Sequence, residues 1–302
     1  MSEKNLKVFL KEFEDNIRFD ADLKKKNWFN IGGKSKIFYK AENLNNLINF
    51  LKKLNNKEKI FILGAGSNTL INDNFFDGVV IKLGKCFSNI SLLDENIIIA
   101  GSGALDKSLS EFAAENSLTG LEFLSCIPGT IGGGIKMNAG CFGSEFKDIL
   151  VSIQAIDKLG NIKTIPSKEI KFEYRKSNLP DDLIFLSASF KTEKSEKMEI
   201  KNRINRFKEE KEKTQPTKIK TSGSTFKNPK SQTKKKVWEL IRESVSVDVE
   251  FGDACISKKH SNFFVNKGNA SFEDMKNLID FVHKSVLEKT GISLEKEIKI
   301  LE

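Results

Sequence analysis

The 302-residue chain is 39 % hydrophobic and 30 % charged, and 50 lysines and arginines against 41 acidic residues give it a formal net charge of +9. This composition is that of an ordinary soluble globular protein, and the length allows a sizeable core in two or three domains. No stretch approaches the ~20 apolar residues of a membrane span, and the start resembles neither a signal nor a transit peptide, so we expect a cytoplasmic protein.

The chain carries no pattern typical of a metal centre or a disulfide framework. It has four cysteines and two histidines, and no two cysteines form a CxxC pair. Zinc sites and disulfide scaffolds need denser and more regular spacing. We therefore expect no metal and no disulfide framework from Cys86, Cys126, Cys141 and Cys255. Cys126 and Cys141 flank a glycine-rich run, so either could lie near a ligand, but a small-residue packing role is favoured.

The positive charge permits a polyanionic partner without identifying one. Lysines occur in every segment, and a tight cluster, residues 234–236, precedes a helix-like run. Nucleic-acid-binding modules interleave basic and aromatic residues in one patch, which this sequence lacks. The pattern favours a solvated lysine-rich surface, which also attracts small phosphorylated ligands.

Residues 1–26 are predicted to form an N-terminal helix or extension. Apolar residues recur there at helical spacing among lysines and acids. They are Leu6, Phe9, Leu10, Phe13 and Ile17.

A βαβ-like region is predicted over residues 27–84. A strand near residues 37–39 precedes a helix whose apolar face comprises leucines and an isoleucine between 44 and 54. Strands are expected at residues 60–63 and 79–83.

A second region is predicted over residues 85–193. It begins with a strand at residues 97–99 and a helix for which Asp106 is a possible N-cap. Two further strands are expected, at residues 151–156 and 183–190.

The last region, residues 194–302, opens with a charged connector helix at residues 194–213. A helix is expected near residues 237–241, and another begins at Ser271 with Asp274 in capping-box spacing. Residues 294–298 alternate in polarity and predict a terminal strand.

The glycine-rich run IPGTIGGG at residues 127–134, followed by MNAG at 137–140, is the most informative stretch. Glycine in a helix or strand interior costs about 0.5–1 kcal/mol relative to alanine, so the run argues against a regular element. It suits a backbone that presents N–H groups to an anion, and it predicts a phosphate-bearing cofactor. A flexible linker fits poorly because apolar residues are interleaved with the glycines.

A second glycine-rich turn, GAGSN at residues 64–68, follows a buried strand. The third glycine of a GxGxxG fingerprint is absent because position 69 is Thr, and no clear helix follows. A nicotinamide-binding Rossmann domain is therefore disfavoured. Two turns of this kind suit one extended dinucleotide bound by loops from two subdomains.

Five motifs in register resemble one known family. They are GAGSN, the IPGTIGGG–MNAG run, FEYRKS at residues 172–177, GSTFKNP at 223–229 and LEKE at 294–297. Together they resemble the UDP-N-acetylenolpyruvoylglucosamine reductases (UDP-N-acetylmuramate dehydrogenases) from about residue 27 onwards. The compact last region resembles the shorter subtype.

The resemblance implies an α+β fold. Residues 27–84 and 85–193 would be the two subdomains of a vanillyl-alcohol-oxidase-type (PCMH) FAD-binding fold, and residues 194–302 a connector helix and an α+β substrate domain. FAD would bind non-covalently at the positions that match the family's flavin motifs. These are Gly64, Gly66, Ser67, Asn68, Pro128, Gly129, Thr130, Gly133, Asn138 and Gly140.

The resemblance also implies the reaction. A monomeric enzyme of peptidoglycan precursor synthesis, acting in cell-wall formation, cell shape and division, would take hydride from NADPH through FAD and reduce the enolpyruvyl ether of a UDP-sugar. Arg175, Ser224 and Glu297 fall on the catalytic positions. A cationic arginine suits the developing carboxylate charge, and Ser224 would donate the proton if a nearby cation polarised it.

Substrate-binding roles are implied for Tyr174, Lys227, Asn228 and Lys258. Because Glu295 lies two residues before Glu297, the choice between these glutamates rests on the resemblance alone. Two alternatives remain: another FAD-dependent oxidoreductase of the same superfamily, and a non-catalytic nucleotide- or nucleic-acid-binding protein.

Overall fold

The computed structural model describes residues 10–216 and 219–302 and divides the chain into two compact units. Of the described residues, the first comprises 10–21, 35–65 and 77–209, and the second 22–34, 66–76, 210–216 and 219–302. The boundaries predicted at residues 26, 84 and 193 stay a prediction. No helix in the described part of the chain is long and apolar enough to cross a membrane.

One sheet of the first unit has four strands. In spatial order they are Ile17–Asp22, Lys34–Ala41, Phe76–Leu83 and Ile60–Ile62, the last two pairing in parallel. The helix Leu44–Leu54 packs on this sheet because its apolar face, including the fully buried Leu47 and Phe50, enters the same core as the strands. The predicted elements of this region are confirmed.

Of the two alternatives predicted for residues 1–26, a helix or an extension, the helix does not continue through Ile17. Leu10, Phe13 and Ile17 do enter the core, but the described residues form only a 3-10 turn at Lys11–Phe13, and Ile17 begins a strand. Sheet pairing therefore overrides the helical spacing. Leu6 and Phe9 lie outside the described residues.

The second sheet of the first unit has five antiparallel strands. In spatial order they are Ile162–Pro166, Leu150–Ile156, Ile184–Lys191, Ile97–Gly101 and Ile90–Asp94. The helix Asp106–Glu115 packs against this sheet's core through Leu109 and Ala113. Asp106 is its first residue rather than its N-cap, which is Leu105.

Shorter helices and the connector helix complete the first unit. The short helices are Ile131–Lys136 and Phe146–Ile149, and the connector is Lys197–Thr214, of which residues 210–214 belong to the second unit. The 3-10 segments are Lys24–Lys26, Lys85–Ser88, Glu122–Cys126 and Ser167–Glu169, of which the first belongs to the second unit. Short strand pairs join Leu118–Thr119 to Glu193–Lys194, Gly140–Cys141 to Ser144–Glu145, and Phe172–Glu173 to Lys176–Ser177.

The second unit packs two helices on a small antiparallel sheet. The helices are Val237–Ser244 and Phe272–Thr290, and the strands are Glu250–Phe251, Ala254–Ile256 and Phe264–Asn266. The predicted capping box is confirmed, since Ser271 and Asp274 exchange side-chain to backbone hydrogen bonds.

The last strand of the second unit is Lys299–Leu301, which pairs in parallel with Thr69–Ile71. The prediction of a strand at residues 294–298 is wrong: only Lys296 there makes an isolated bridge, to Phe226. The alternation of polarity misled the prediction because the strand position is set by a partner far away in the sequence.

Candidate functional site

Arg175 lies on the tight turn of a small hairpin in the first unit. Phe172 pairs with Ser177 and Glu173 with Lys176, which leaves Tyr174 and Arg175 as the two turn residues. Arg175 has φ of +57°, a left-handed conformation unusual for a residue with a side chain. Its guanidinium carbon lies 4.9 Å from the centroid of the Tyr174 ring, a cation–π arrangement.

Three acceptors from one neighbouring segment surround the guanidinium. Arg175 Nη2 donates to the carbonyl of Gly140 at 2.5 Å and Nη1 to the carbonyl of Asn138 at 3.5 Å. Nη1 also lies 3.6 Å from Oε1 of Glu145, and both side chains of this pair are less than a fifth exposed. The hairpin and the segment at residues 138–145 therefore fix the cation together.

Asn138 is buried, and its side chain has partners at both ends. Its amide donates to Oε2 of Glu145 and to the carbonyl of Glu173, both at 3.0 Å, while its Oδ1 accepts the N–H of Lys147 at 3.0 Å. The Asn138 side chain thus connects the segment that holds Arg175 to the hairpin that carries it. Neither this role nor Glu145 was predicted, since no motif spacing signals it.

The glycine-rich run is more regular than predicted. Ile131–Lys136 is a short helix capped by Thr130, and the N–H groups of Ile131 and Gly132 donate to the carbonyls of Ala104 and Ser102. The prediction of an irregular loop is wrong because close packing selects glycine here: a β-carbon on Gly134 would lie 2.3 Å from the Phe146 ring.

Two polar groups at the start of this helix suit a ligand. The Gly133 N–H is exposed, and its bond to Thr130 Oγ1 is 3.5 Å, longer than the usual range of about 2.7–3.2 Å. The Ser102 hydroxyl is buried with no hydrogen-bond partner among the described residues, and its Cβ would be 3.2 Å from a β-carbon on Gly132. Such donors fit the polar edge of a phosphate-bearing cofactor.

The other predicted cofactor residues of the run lie beside these groups. Gly129, which follows Pro128, accepts the Asp106 N–H through its carbonyl, and Leu105 and Thr130 form an isolated bridge. Gly64 from the GAGSN turn contacts Thr130, so the structure brings both glycine-rich motifs together within the first unit.

The remaining GAGSN residues belong to the second unit. Gly66 has φ of +68°, and a β-carbon there would lie 2.4 Å from the Lys26 carbonyl, so only glycine fits. Asn68 donates from its side chain to the Glu297 carbonyl at 3.1 Å and accepts the Lys299 N–H. Ser67 is half-buried.

Ser224 and Glu297 lie on adjacent segments of the second unit. Ser224 bridges Phe263, and the next residue, Thr225, accepts the Glu297 N–H at 2.8 Å. Both Ser224 and Glu297 are half-buried, whereas Glu295 is exposed. Burial therefore distinguishes the two glutamates, which the predicted strand alternation did not.

The predicted substrate residues of this unit have different surroundings. Lys227 is buried, and its Nζ lies 2.5 Å from Oε1 of Glu295. Asn228 accepts the Val237 N–H at the start of a helix. The Lys258 side chain is 82 % exposed and pairs with Asp248, so the structure gives it no defined place beside Ser224.

Asn262 was missed by the sequence interpretation. Its Oδ1 accepts the Phe226 N–H and its amide donates to the Phe226 carbonyl, which fixes the backbone between Ser224 and Asn228. Asn262 lies two residues after His260, in the polar segment at residues 257–263, and no motif used in the sequence analysis includes that segment. Burial lowers the pKa of His260, whose Nδ1 accepts the Asn262 N–H.

Comparisons with known proteins agree over the whole chain. Residues 35–166 match the model of an FAD binding domain, and residues 215–301 that of the UDP-N-acetylenolpyruvoylglucosamine reductase C-terminal domain. A UDP-N-acetylenolpyruvoylglucosamine reductase of Pelagibacter ubique (strain HTCC1062) is 64 % identical over 301 residues, covering 100 % of both chains. One from Rickettsia bellii (strain RML369-C) is 46 % identical over 93 % of this chain and 92 % of its own. The crystal structure of the Thermus caldophilus reductase superposes with a TM-score of 0.82 at 31 % identity, over 95 % of this chain and 100 % of its own.

Proposed function

Because the chain belongs to the UDP-N-acetylenolpyruvoylglucosamine reductase family, an α+β family of FAD oxidoreductases, we propose that it reduces UDP-N-acetylglucosamine enolpyruvate to UDP-N-acetylmuramate with NADPH. FAD, when bound, supplies the hydride chemistry by accepting hydride from NADPH and passing it to the terminal enolpyruvyl carbon. The arrangement around Arg175 is the observation that carries the proposal.

The residues at the two glycine-rich motifs would hold FAD without a covalent link. Thr130 and Gly133 offer a hydroxyl and an exposed N–H, and the absence of side chains at Gly64 and Gly66 keeps the backbone close. The other residues assigned to the cofactor are Ser67, Asn68, Pro128, Gly129, Asn138 and Gly140.

Arg175 would bind the substrate carboxylate and stabilise the negative charge that develops beside it. The guanidinium is always charged and can bind a carboxylate through parallel hydrogen bonds. Its contacts with the Gly140 and Asn138 carbonyls hold it before substrate arrives, so little reorganisation is needed during reaction.

Ser224 would donate the proton that completes reduction, and Glu297 would polarise the same intermediate. The bond between Glu297 N–H and the Thr225 carbonyl fixes the two segments in register. Lys227 would supply the nearby positive charge that polarises the hydroxyl, and Tyr174, Asn228 and Lys258 would contact the UDP-sugar.

The cellular role follows from this reaction. The enzyme would act as a cytoplasmic monomer in peptidoglycan precursor synthesis, and thereby in cell-wall formation, cell shape and division. Its partners would be NADPH and the UDP-sugar, with no nucleic acid or membrane involved.

The experiment separates the two half-reactions by anaerobic flavin absorbance. In the wild type, NADPH should bleach the flavin bands, and only UDP-N-acetylglucosamine enolpyruvate should restore them. Ser224→Ala should leave bleaching unchanged within about twofold and slow restoration by about 100-fold or more. Ser222→Ala is the matched control, since its hydroxyl donates to the Thr69 carbonyl.

Three outcomes would contradict parts of the proposal. Equal loss in both half-reactions of Ser224→Ala would indicate damaged folding or flavin binding rather than a lost proton donor. Bleaching by NADPH without restoration by the substrate, in the wild type, would favour another FAD oxidoreductase. A protein that neither contains nor takes up FAD would favour a binding protein.

A further inference from the structure

The carboxylate of Glu145 has no part in the reaction as described, yet it lies against Arg175. We propose that Glu145 is a positioning residue that fixes the guanidinium of Arg175 in the orientation needed to bind the substrate carboxylate. This inference rests on the proposed function, in which Arg175 performs that step.

The first support is the shape of the segment that surrounds the guanidinium. Gly140–Cys141 and Ser144–Glu145 form a small antiparallel hairpin in which Glu145 stands directly opposite Gly140. The Gly140 carbonyl therefore contacts one end of the guanidinium, Nη2, while the Glu145 carboxylate lies 3.6 Å from the other end, Nη1. Two acceptors at opposite ends of a planar cation fix its rotation as well as its position.

The hairpin itself is anchored. Phe142, at its turn, stacks on Phe207 of the connector helix, with ring centroids 4.3 Å apart and planes within 1°. Its φ of +51° shows that the turn is held in a left-handed conformation. A movement of the hairpin backbone away from Arg175 would therefore have to disturb this stack.

The second support is the charge state of Glu145. Burial acts to raise its pKa, but the hydrogen bond and charge of Lys147, the amide of Asn138 and the charge of Arg175 outweigh burial, and the net pKa is lowered. Lys147 Nζ lies 2.8 Å and Asn138 Nδ2 3.0 Å from Oε2, which leaves Oε1 facing Arg175. The carboxylate is thus ionised and its two oxygens have separate partners.

The third support is the conformation of Arg175. A left-handed turn residue has no regular element to fix its side chain, and such strain is kept only where the surroundings determine it. Without the Glu145 charge, the guanidinium would lose the anionic acceptor that faces Nη1 and could rotate more readily about its long side chain. A misplacement of about 1 Å can lower a rate by about 100-fold.

The test compares Glu145→Gln with Glu173→Gln in the two half-reactions. Glutamine keeps the size of Glu145 and the Asn138 contact but removes the charge. Glu173 is the matched control because its half-exposed carboxylate lies on the Arg175 hairpin and pairs with Lys171 and Lys176. Glu145→Gln should slow flavin reoxidation by substrate about 10- to 100-fold and leave flavin reduction by NADPH unchanged within about twofold. Glu173→Gln should leave the rates of both half-reactions unchanged within about twofold.

Combining Glu145→Gln with Arg175→Lys shows whether Glu145 acts through Arg175. We expect Arg175→Lys alone to slow reoxidation strongly, and Glu145→Gln to add little in that background. If Glu145→Gln slows reoxidation equally in both backgrounds, or slows both half-reactions equally, the inference is wrong.

The proposed function can fail separately. If Arg175→Lys leaves reoxidation unchanged, the role of Arg175 is wrong and the inference falls with it. If Arg175→Lys slows reoxidation but Glu145→Gln does not, only the inference is wrong. If Glu145→Gln does not fold, Glu145→Asp replaces it in the same double-mutant comparison. Aspartate keeps the charge but places it one methylene further from Arg175. We expect a smaller decrease in the rate of flavin reoxidation, which disappears in the Arg175→Lys background.

Discussion

Gly64 and Thr130 approach so closely that a β-carbon on Gly64 would lie 2.6 Å from Thr130 Oγ1. The same hydroxyl caps the helix Ile131–Lys136 through the Gly133 N–H. Any side chain at residue 64 must therefore displace a cap in the glycine-rich run.

Gly64→Ala should lower the free energy of unfolding by about 1–3 kcal/mol, because overpacking forces Thr130 to rotate away from the cap. Urea unfolding of the single variant and of Gly64→Ala/Thr130→Ala measures this. Removal of Oγ1 should make the alanine at residue 64 better tolerated. Fully additive losses would show that another contact excludes the side chain.

Asp106→Asn should stabilise the protein at neutral pH. Asp106 is fully buried with no partner for either oxygen among the described residues, and burial raises its pKa well above the ordinary 3.8. When folding raises the pKa of a group, that group stabilises the fold at pH values below its unfolded-state pKa. This stabilisation is lost as the pH rises through the folded-state pKa. The stability gained by the substitution should therefore be larger at about pH 8 than at about pH 5 in urea titrations.

Asp157→Asn is a control for which we expect the opposite change in the free energy of unfolding. Burial acts to raise the Asp157 pKa, but hydrogen bonds from Asn161 and Leu159 outweigh it, and the net pKa is lowered. This carboxylate stabilises the fold above its unfolded pKa, so its removal should destabilise at neutral pH and matter less as pH falls. If Asp106→Asn and Asp157→Asn change the free energy of unfolding in the same direction at neutral pH, the opposite pKa shifts inferred for the two carboxyls are wrong.

Arg203→Met should destabilise the first unit by about 2–3 kcal/mol, because it leaves the buried Glu122 carboxylate without its cation. Arg203 Nη1 lies 2.9 Å from Glu122 Oε1, and the Glu122 side chain is 5 % exposed. Lys201→Met, which removes an exposed pair with Glu115, should change the free energy of unfolding much less than Arg203→Met, because solvent screens exposed pairs. Thermal unfolding compares the two, and Glu122→Gln should recover part of the Arg203→Met loss.

Ser271→Ala should lower the free energy of unfolding by about 1 kcal/mol, the usual effect of losing an N-cap. The Ser271 hydroxyl accepts the Asp274 N–H at 3.0 Å, and Asp274 accepts the Ser271 N–H at 2.9 Å. Ser271→Thr keeps a hydroxyl at the cap and should lower the free energy of unfolding much less than Ser271→Ala. Urea titration of both variants measures the difference. Equal losses would show that the hydroxyl is not the acceptor that matters.

The sequence predicted elements best where local pattern and burial agree. The helices at Leu44–Leu54 and Phe272–Thr290 have an apolar face and a defined N-cap, and both were found. Ile17 and residues 294–298 have equally regular patterns, but distant strand partners decide their structure.

The candidate site was predictable only as far as its motifs extend. Arg175 and Ser224 were found through FEYRKS and GSTFKNP, but Glu145 was not, because its contact with Arg175 depends on a hairpin register. The helix in the glycine-rich run was missed for a related reason. Glycine's low helix propensity is a local property, whereas the space beside the Phe146 ring is a tertiary one.

A ribosome makes the strand Thr69–Ile71 long before its parallel partner Lys299–Leu301. At about 5–20 residues per second, the earlier strand waits roughly 10–50 s with its pairing edge unmatched. The first unit needs nothing beyond residue 209, so it can fold while synthesis continues, whereas the second unit also needs residues after 209. Translation speed between residues 71 and 299 therefore sets how long the nascent chain exposes an edge on which neighbouring chains could add a strand.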